Sequence, residues 1–272
     1  MAVFGNAMEV FVLLDRSNCR RCGEKTCLAF AGAVFCGRRS LESCPHLDAA
    51  TVQRYVGAKR GLRAEEEDPE QFLSALREKI KGLDLAAVAQ RVGGHFAQGR
   101  LTMKILGKDF SIDGSGAFSS AIHIIPWVTV PVLTYVVHCT GVPVVGEWIS
   151  FREIREGQER YLLFKRRCEE AMKRVADIWP DLFDDIVHLF DGRHVDAQFA
   201  SDISVVLHVF PRVPLMICYW REAEGIASSL NVFFDRTIDE NLDVGAVFML
   251  ATGLAQMFEK LALQHGYTIQ PA

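Results

Sequence analysis

The chain of 272 residues carries a formal net charge of −4, and 50% of it is hydrophobic against 24% charged. That length buries a sizeable core and accommodates two domains, and that balance excludes extended disorder, a collagen-like repeat and a disulfide-stapled miniprotein. With no overall basic excess there is no nucleic-acid footprint across the chain, so nucleic acid is not an expected partner.

The first fourteen residues hold Glu9 and no Lys or Arg, unlike the charged start of an export signal, and the expected location is cytoplasmic. Residues 8–14 are apolar and read as a short helix or strand. Residues 17–26 are turn-rich, and 27–35 are rich in helix formers. A second loop ends in Ser43-Cys44-Pro45, and 51–59 reads as another short helix. The charge run at 63–70 reads as a solvated linker, which divides the chain into a module at 1–63 and a larger domain at 64–272. Asp68-Pro69-Glu70 fits an N-cap followed by Pro at the first helical position, and helices are expected at 69–81 and 85–92. Residues 101–112 alternate around Gly107-Lys108-Asp109, a hairpin pattern. Residues 114–146 lack Asp, Glu, Lys and Arg, but Pro126, Pro131, Gly141 and Pro143 interrupt them. A buried helix at 132–139 is expected there, and no membrane span. Helices at 161–178 and 181–190 are split by Pro180, and strands at 203–210 and 215–220 lie around Pro211 and Pro214. The clearest helix is 244–264, where Val247, Leu250, Leu254, Met257 and Leu261 recur at helical spacing.

The chain has eight cysteines, and five of them, Cys19, Cys22, Cys27, Cys36 and Cys44, fall in one short stretch. Cys139, Cys168 and Cys218 stand far apart. A disulfide framework spreads its cysteines through a small secreted chain, whereas a tight cluster in a larger chain reads as metal binding. The informative spacing is Cys19-x2-Cys22-x4-Cys27-x16-Cys44. A 4Fe–4S cage takes three thiolates from one wrapping loop and a remote fourth. Zinc sites more often use two paired knuckles, and only the first pair here has that form. The spacing favours a cluster over zinc, and zinc over an unmetallated thiol set. Cys27 opens the expected helix, whose N-terminal amides favour an anion, and Phe30, Ala31 and Val34 share its face. Cys36 lies nine positions on, about 180° round the helix, and is read as a free thiol pointing away. The expected fold is therefore α+β: a small helical iron–sulfur module followed by a mixed α+β domain with an antiparallel sheet.

The run from Cys22 through Gly23-Glu24-Lys25-Thr26 to Cys27-Leu28-Ala29-Phe30-Ala31, preceded by Asn18-Cys19 and closed by Ser43-Cys44-Pro45, resembles a known module. It is similar to the four-cysteine 4Fe–4S module of the corrinoid iron–sulfur protein large subunit and of an Rnf-type electron-transport subunit. The resemblance implies that Cys19, Cys22, Cys27 and Cys44 are the cluster ligands. In the corrinoid family such a cluster delivers low-potential electrons that reactivate an oxidised cobalt. That family's corrinoid-binding and barrel domains are not visible here, so the corrinoid does not transfer with the motif. Residues 135–157 and 211–239 resemble an uncharacterised domain of anaerobic bacteria and archaea, which implies an anaerobic redox setting and no defined chemistry.

Between Arg16 and Cys44, six basic residues (Arg16, Arg20, Arg21, Lys25, Arg38, Arg39) face two acids, Glu24 and Glu42, which leaves that stretch basic and the remainder acidic. A cationic rim offsets an anionic cluster and steers an acidic redox partner. A weaker donor set, Cys36, His123, His138, Cys139, His208 and Cys218, could form a second metal or corrinoid site, although core residues of these types are commoner. Carboxylates at 147–153, emerging from apolar surroundings, are candidates for raised pKa values against a commoner reading as surface ion pairs, and Trp220-Arg221-Glu222 is similarly placed. A Gly-rich phosphate loop, a nucleophile elbow and a His-Glu-x-x-His helix are absent, so no catalytic residue is assigned. The leading reading is an iron–sulfur redox protein passing single electrons to a redox protein partner, a corrinoid protein among the candidates, or to a cofactor in the second domain. The rivals are an enzyme whose second domain carries its own metal or corrinoid, and a zinc-organised protein-binding module.

Overall fold

The computed structural model describes residues 7–35, 39–55, 69–120, 126–179 and 181–268. Contacts divide the chain into two compact units, Met1–Phe72 and Leu73–Ala272. The linker expected near residue 63, with Asp68, lies outside the described residues.

In the first unit, α1 (Ala7–Val12) packs on α2 (Cys27–Phe35), followed by a 3-10 turn at Leu41–Ser43 and α3 (Ala49–Tyr55). Val10, Leu14, Phe30, Ala31 and Leu41 form its core together with Cys27 and Cys44. The first apolar segment is thus a helix rather than a strand. The helix expected from residue 27 is described over Cys27–Phe35, and its end, expected at Gly37 or Ser40, falls next to residues outside the described ones.

The helix expected over 69–81 is α4 (Pro69–Lys81), which buries Leu76 and Ile80 one turn apart. In the second unit α5 (Leu85–Arg91) is capped by Asp84, whose carboxylate accepts the Ala86 and Ala87 N–H groups. Four antiparallel strands follow in chain order, β1 (His95–Ala97), β2 (Arg100–Ile105), β3 (Lys108–Asp113) and β4 (Phe118–Ser120). The β2–β3 turn is Leu106-Gly107, one position earlier than the Gly107-Lys108-Asp109 pattern suggests. Both turn residues have positive φ, 48° and 74°, the two-residue geometry that matches strand twist. A leucine takes this conformation because Leu106 is buried and its N–H donates to the His208 carbonyl at 3.1 Å.

Next comes α6 (Pro126–His138), which runs through Pro131 rather than starting after it. Pro126 suits the first helical position; Pro131 forfeits one helix hydrogen bond. The burial of Val128, Val130, Val132, Leu133, Tyr135 and Val136 keeps the helix intact. After β5 (Trp148–Ser150), a long helical segment comprises α7 (Gly157–Phe164), a π-helical turn at Lys165–Glu169 and α8 (Glu170–Ile178). The wider π turn brings both Cys168 and Glu169 to the buried face. Then come α9 (Leu182–Leu189), β6 (Arg193–His194), β7 (Ile203–Phe210), β8 (Val213–Trp220), β9 (Ser229–Asp235), α10 (Ile238–Asn241) and α11 (Val244–Gln264). The second sheet is antiparallel in the order β5-β9-β8-β7-β6. The architecture is α+β, as expected.

One face of this sheet meets the helical layer. Phe151 and Phe164 stack there at 4.0 Å, and Phe234 and Phe248 meet both edge-on at 6.1–6.4 Å. Each such pair adds about 0.5–1.5 kcal/mol beyond its buried area. Among the described residues α11 alone has the length and apolarity to cross a membrane, yet Val247, Leu250, Ala251, Leu254 and Phe258 are buried in this core.

The α6–α11 contact depends on a missing side chain. A Cβ on Gly253 would lie 2.3 Å from the Trp127 ring. Gly253→Ala should therefore cost about 1–3 kcal/mol and lower the melting temperature followed by circular dichroism. Gly114→Ala, where a Cβ meets nothing within 4 Å, should leave it unchanged.

Candidate metal centre

The loop before α2 is built from turns. Asp15 accepts the Ser17 N–H at 3.1 Å and hydroxyl at 2.9 Å, an Asx turn that lowers its pKa through the Ser17 backbone first. Arg16, Asn18 and Arg20 alternate in the left-handed region (φ 60°, 52° and 62°), and Gly23 follows at 85°. Such residues are costly outside glycine and persist only where the surroundings demand them. The positive φ at Gly23 is what calls for glycine there; a Cβ would also lie 2.9 Å from the Arg39 guanidinium, the movable end of a flexible side chain.

The loop is closed by a reciprocal pair. The Asn18 side-chain carbonyl accepts the Cys27 N–H at 2.7 Å, and the Asn18 N–H donates to the Cys27 Sγ at 3.4 Å. Thr26 Oγ1 accepts the Ala29 N–H at 3.0 Å, so two donors of the first α2 turn are satisfied. Cys19 and Cys22 sit inside the loop that Asn18 and Cys27 close. The fourth cysteine ends the 3-10 turn, with its N–H on the Leu41 carbonyl at 3.0 Å.

Cys27 and Cys44 are buried in the module core, Cys22 packs against it, and Cys19 is half-buried. All four are free thiols. Burial raises the Cys44 pKa, and the charges of Cys22, Asp15 and Cys19 push it further, while the His46 N–H opposes the rise. Three of the cysteines thus lie within electrostatic reach of one another. His46 also pairs with Asp15 at 3.0 Å. Among the described residues, no three His, Cys, Asp or Glu side chains gather tightly enough to hold a single ion. A cage spreads its thiolates over separate corners, and the N–H groups directed at Cys27 and Cys44 suit an anionic cluster. The donor chemistry therefore fits an iron–sulfur group.

The weaker donor set is described in part. Cys36 and His123 lie outside the described residues. Of the others no three converge. His138 is exposed at the end of α6, while the buried Cys139 thiol donates to the Arg91 carbonyl at 3.4 Å and to Asn241 Oδ1 at 3.3 Å. His208 is exposed at a bulge opposite Pro214, and Cys218 packs with Val206, Met216 and Phe233 beside Ser204. Among the described residues, Cys139 and Cys218 are engaged in packing and hydrogen bonding, and His138 and His208 stand at the surface. The carboxylates at 147–153 are exposed and have partners. Glu147 pairs with Arg236 at the surface (2.7 Å), and the Ser150 side chain and N–H lower the Glu153 pKa.

Sequence reasoning overlooked two buried acids. Asp235 accepts N–H groups from Val145 (3.1 Å), Gly146 (2.6 Å) and Thr237 (3.1 Å), and the Thr237 hydroxyl (2.7 Å), tying down the loop after α6. Glu169 accepts the Val232 N–H at 3.1 Å and the Tyr161 hydroxyl at 3.3 Å. The three-residue β5 pairs only with Phe233, Phe234 and Asp235, so this carboxylate substitutes for the missing strand at Val232. An Asn before a Cys was a usable signal for the left-handed turn at residue 18. The acids carried none, because their partners are far away in the chain.

A family model described as "Putative Fe-S cluster" matches residues 14–46. Over 43 residues the chain is 44% identical to the corrinoid/iron-sulfur protein large subunit of Moorella thermoacetica, which covers 16% of this chain and 10% of that protein. The chain thus spans about a tenth of that relative's length. With the cysteine geometry, these findings support an iron–sulfur protein of α+β architecture. A second model, "Domain of unknown function (DUF3786)", matches residues 84–257, well over half the chain, and the chain belongs to this family. No solved structure matches it.

Burial raises the Glu169 pKa above its ordinary 4.5. The folded state then holds this proton more tightly than the unfolded state. The resulting stability is fully present below the ordinary value and is lost as pH rises through the folded one. Glu169→Gln should flatten stability against pH across that window relative to the parent, measured by urea midpoints at a series of pH values.

Proposed function

We propose that this protein is a cytoplasmic electron carrier in which Cys19, Cys22, Cys27 and Cys44 hold a 4Fe–4S cluster that exchanges single electrons with a redox partner. The observation that carries this reading is the loop closed by Asn18 and Cys27, which holds Cys19 and Cys22 within electrostatic reach of the buried Cys44, with all four thiols free. The bound group supplies one-electron transfer without bond making. The chain's own part is to hold, tune and shield. The N–H groups of Asn18 and His46 stabilise negative charge on sulfur, which raises a reduction potential. Phe30, Leu41 and Val10 exclude water from the Cys27–Cys44 side. The printed name of the Moorella relative joins an iron–sulfur module to a corrinoid, so a corrinoid protein is the first partner to assay.

Protein isolated anaerobically should contain about four iron and four acid-labile sulfide per chain. Replacing Cys19, Cys22, Cys27 or Cys44 by Ser should remove most of both, whereas Cys36→Ser should leave the content unchanged. Stoichiometric zinc without iron would overturn the electron-carrier reading.

A further inference from the structure

The four cysteines are unequal in exposure. Cys27 and Cys44 are each 7% exposed within the module core, whereas Cys19 and Cys22 are half-buried on the outer loop. A cage held by all four is walled on one side and open on the other.

The loop on the open side is predominantly basic. Arg20 and Arg21 lie between Cys19 and Cys22, Lys25 follows two positions after Gly23, and all three are exposed without an ion pair among the described residues. The loop's acid, Glu24, is engaged by Arg39 at 3.5 Å. Asp15 is held by Ser17 and His46, and Glu42 is exposed on the 3-10 turn that leads to the buried Cys44. Arg16 lies over the Phe11 ring at 5.2 Å. Leu28, directly after Cys27, is 52% exposed and adds apolar surface to this basic rim.

We propose that the Cys19–Cys22 edge is where electrons cross and that it docks an acidic redox protein. This rests on the iron–sulfur reading above. A single electron crosses between this edge and the partner, which gains or loses one; no bond breaks and no proton moves. Complementary charge raises the encounter rate and orients the partner over the half-exposed sulfurs, an effect that salt screens.

The full chain, isolated anaerobically and reduced, is mixed with two one-electron acceptors, acidic plastocyanin and basic cytochrome c. Between about 0.02 M and 0.5 M salt, the plastocyanin rate should fall about tenfold and the cytochrome c rate should hold or rise. Combining Arg20→Glu, Arg21→Glu and Lys25→Glu should reverse the preference at unchanged iron content. A second readout needs no cluster. In the metal-free full chain, an anionic methanethiosulfonate should label Cys19 and Cys22 about tenfold faster than a cationic one at low salt. It should also label them before Cys27 and Cys44, and the triple variant should invert the charge preference. Faster reaction with cytochrome c, no salt dependence, or equal labelling of all four thiols would each sink the proposal. Absence of iron and sulfide would instead sink the cluster reading and leave the labelling result intact.

Discussion

Sulfur atoms brought together repel one another once they ionise, and the N-terminal unit is organised around that constraint. Cys44 registers it directly: its thiol is pushed up by its own burial and again by Cys22 and Cys19. Two features counter the repulsion, backbone N–H groups aimed at sulfur and a surplus of cationic side chains around the loop. The alternating left-handed residues at Arg16, Asn18 and Arg20 add backbone strain to the same loop. The Asn18–Cys27 pair matters because it holds the loop ends without using a thiol as a donor.

The larger unit meets a different constraint, the need to satisfy buried backbone where strands run out. β5 is too short to cover β9, and Glu169 completes the edge at Val232. The chain from α6 to β5 has no regular structure, and Asp235 collects its amides. At the end of α6 the Arg91 guanidinium serves as the cap, donating to the carbonyls of Val136 (2.7 Å), Val137 (3.4 Å) and Cys139. Its own carbonyl accepts from Arg212 Nε at 2.7 Å. The buried Glu169 and Asp235 and the half-buried Arg91 and Arg212 all have partners, the condition under which such groups stabilise a fold instead of weakening it. Glu169 also shows why a buried acid with a shifted pKa is a poor guide to catalysis when its geometry already has a structural purpose.

Charge divides the chain unevenly. The stretch around the cysteines is basic, whereas the chain as a whole carries −4. Such asymmetry has little bearing on fold, but it governs what approaches the sulfur loop and how fast.

What the residue order alone determined was local. Spacing singled out four cysteines from eight, the helix expected at 85–92 became α5, and the apolar stripe of 244–264 marked α11 with the limits it has. Each signal lies within a few residues of its consequence. Tertiary structure decided the rest. Leu106 enters a left-handed turn for the sake of a carbonyl on β7. α6 continues past Pro131 because its burial outweighs one lost hydrogen bond. β9, unread as a strand with Asn231 amid its apolar residues, becomes second in its sheet. Cys139 and Cys218, whose residue type suggested metal, became packing groups, the former bonded to Asn241 across 102 positions. Propensity and spacing act between chain neighbours, whereas a buried group's role is set by whichever distant residues the packed fold brings to it.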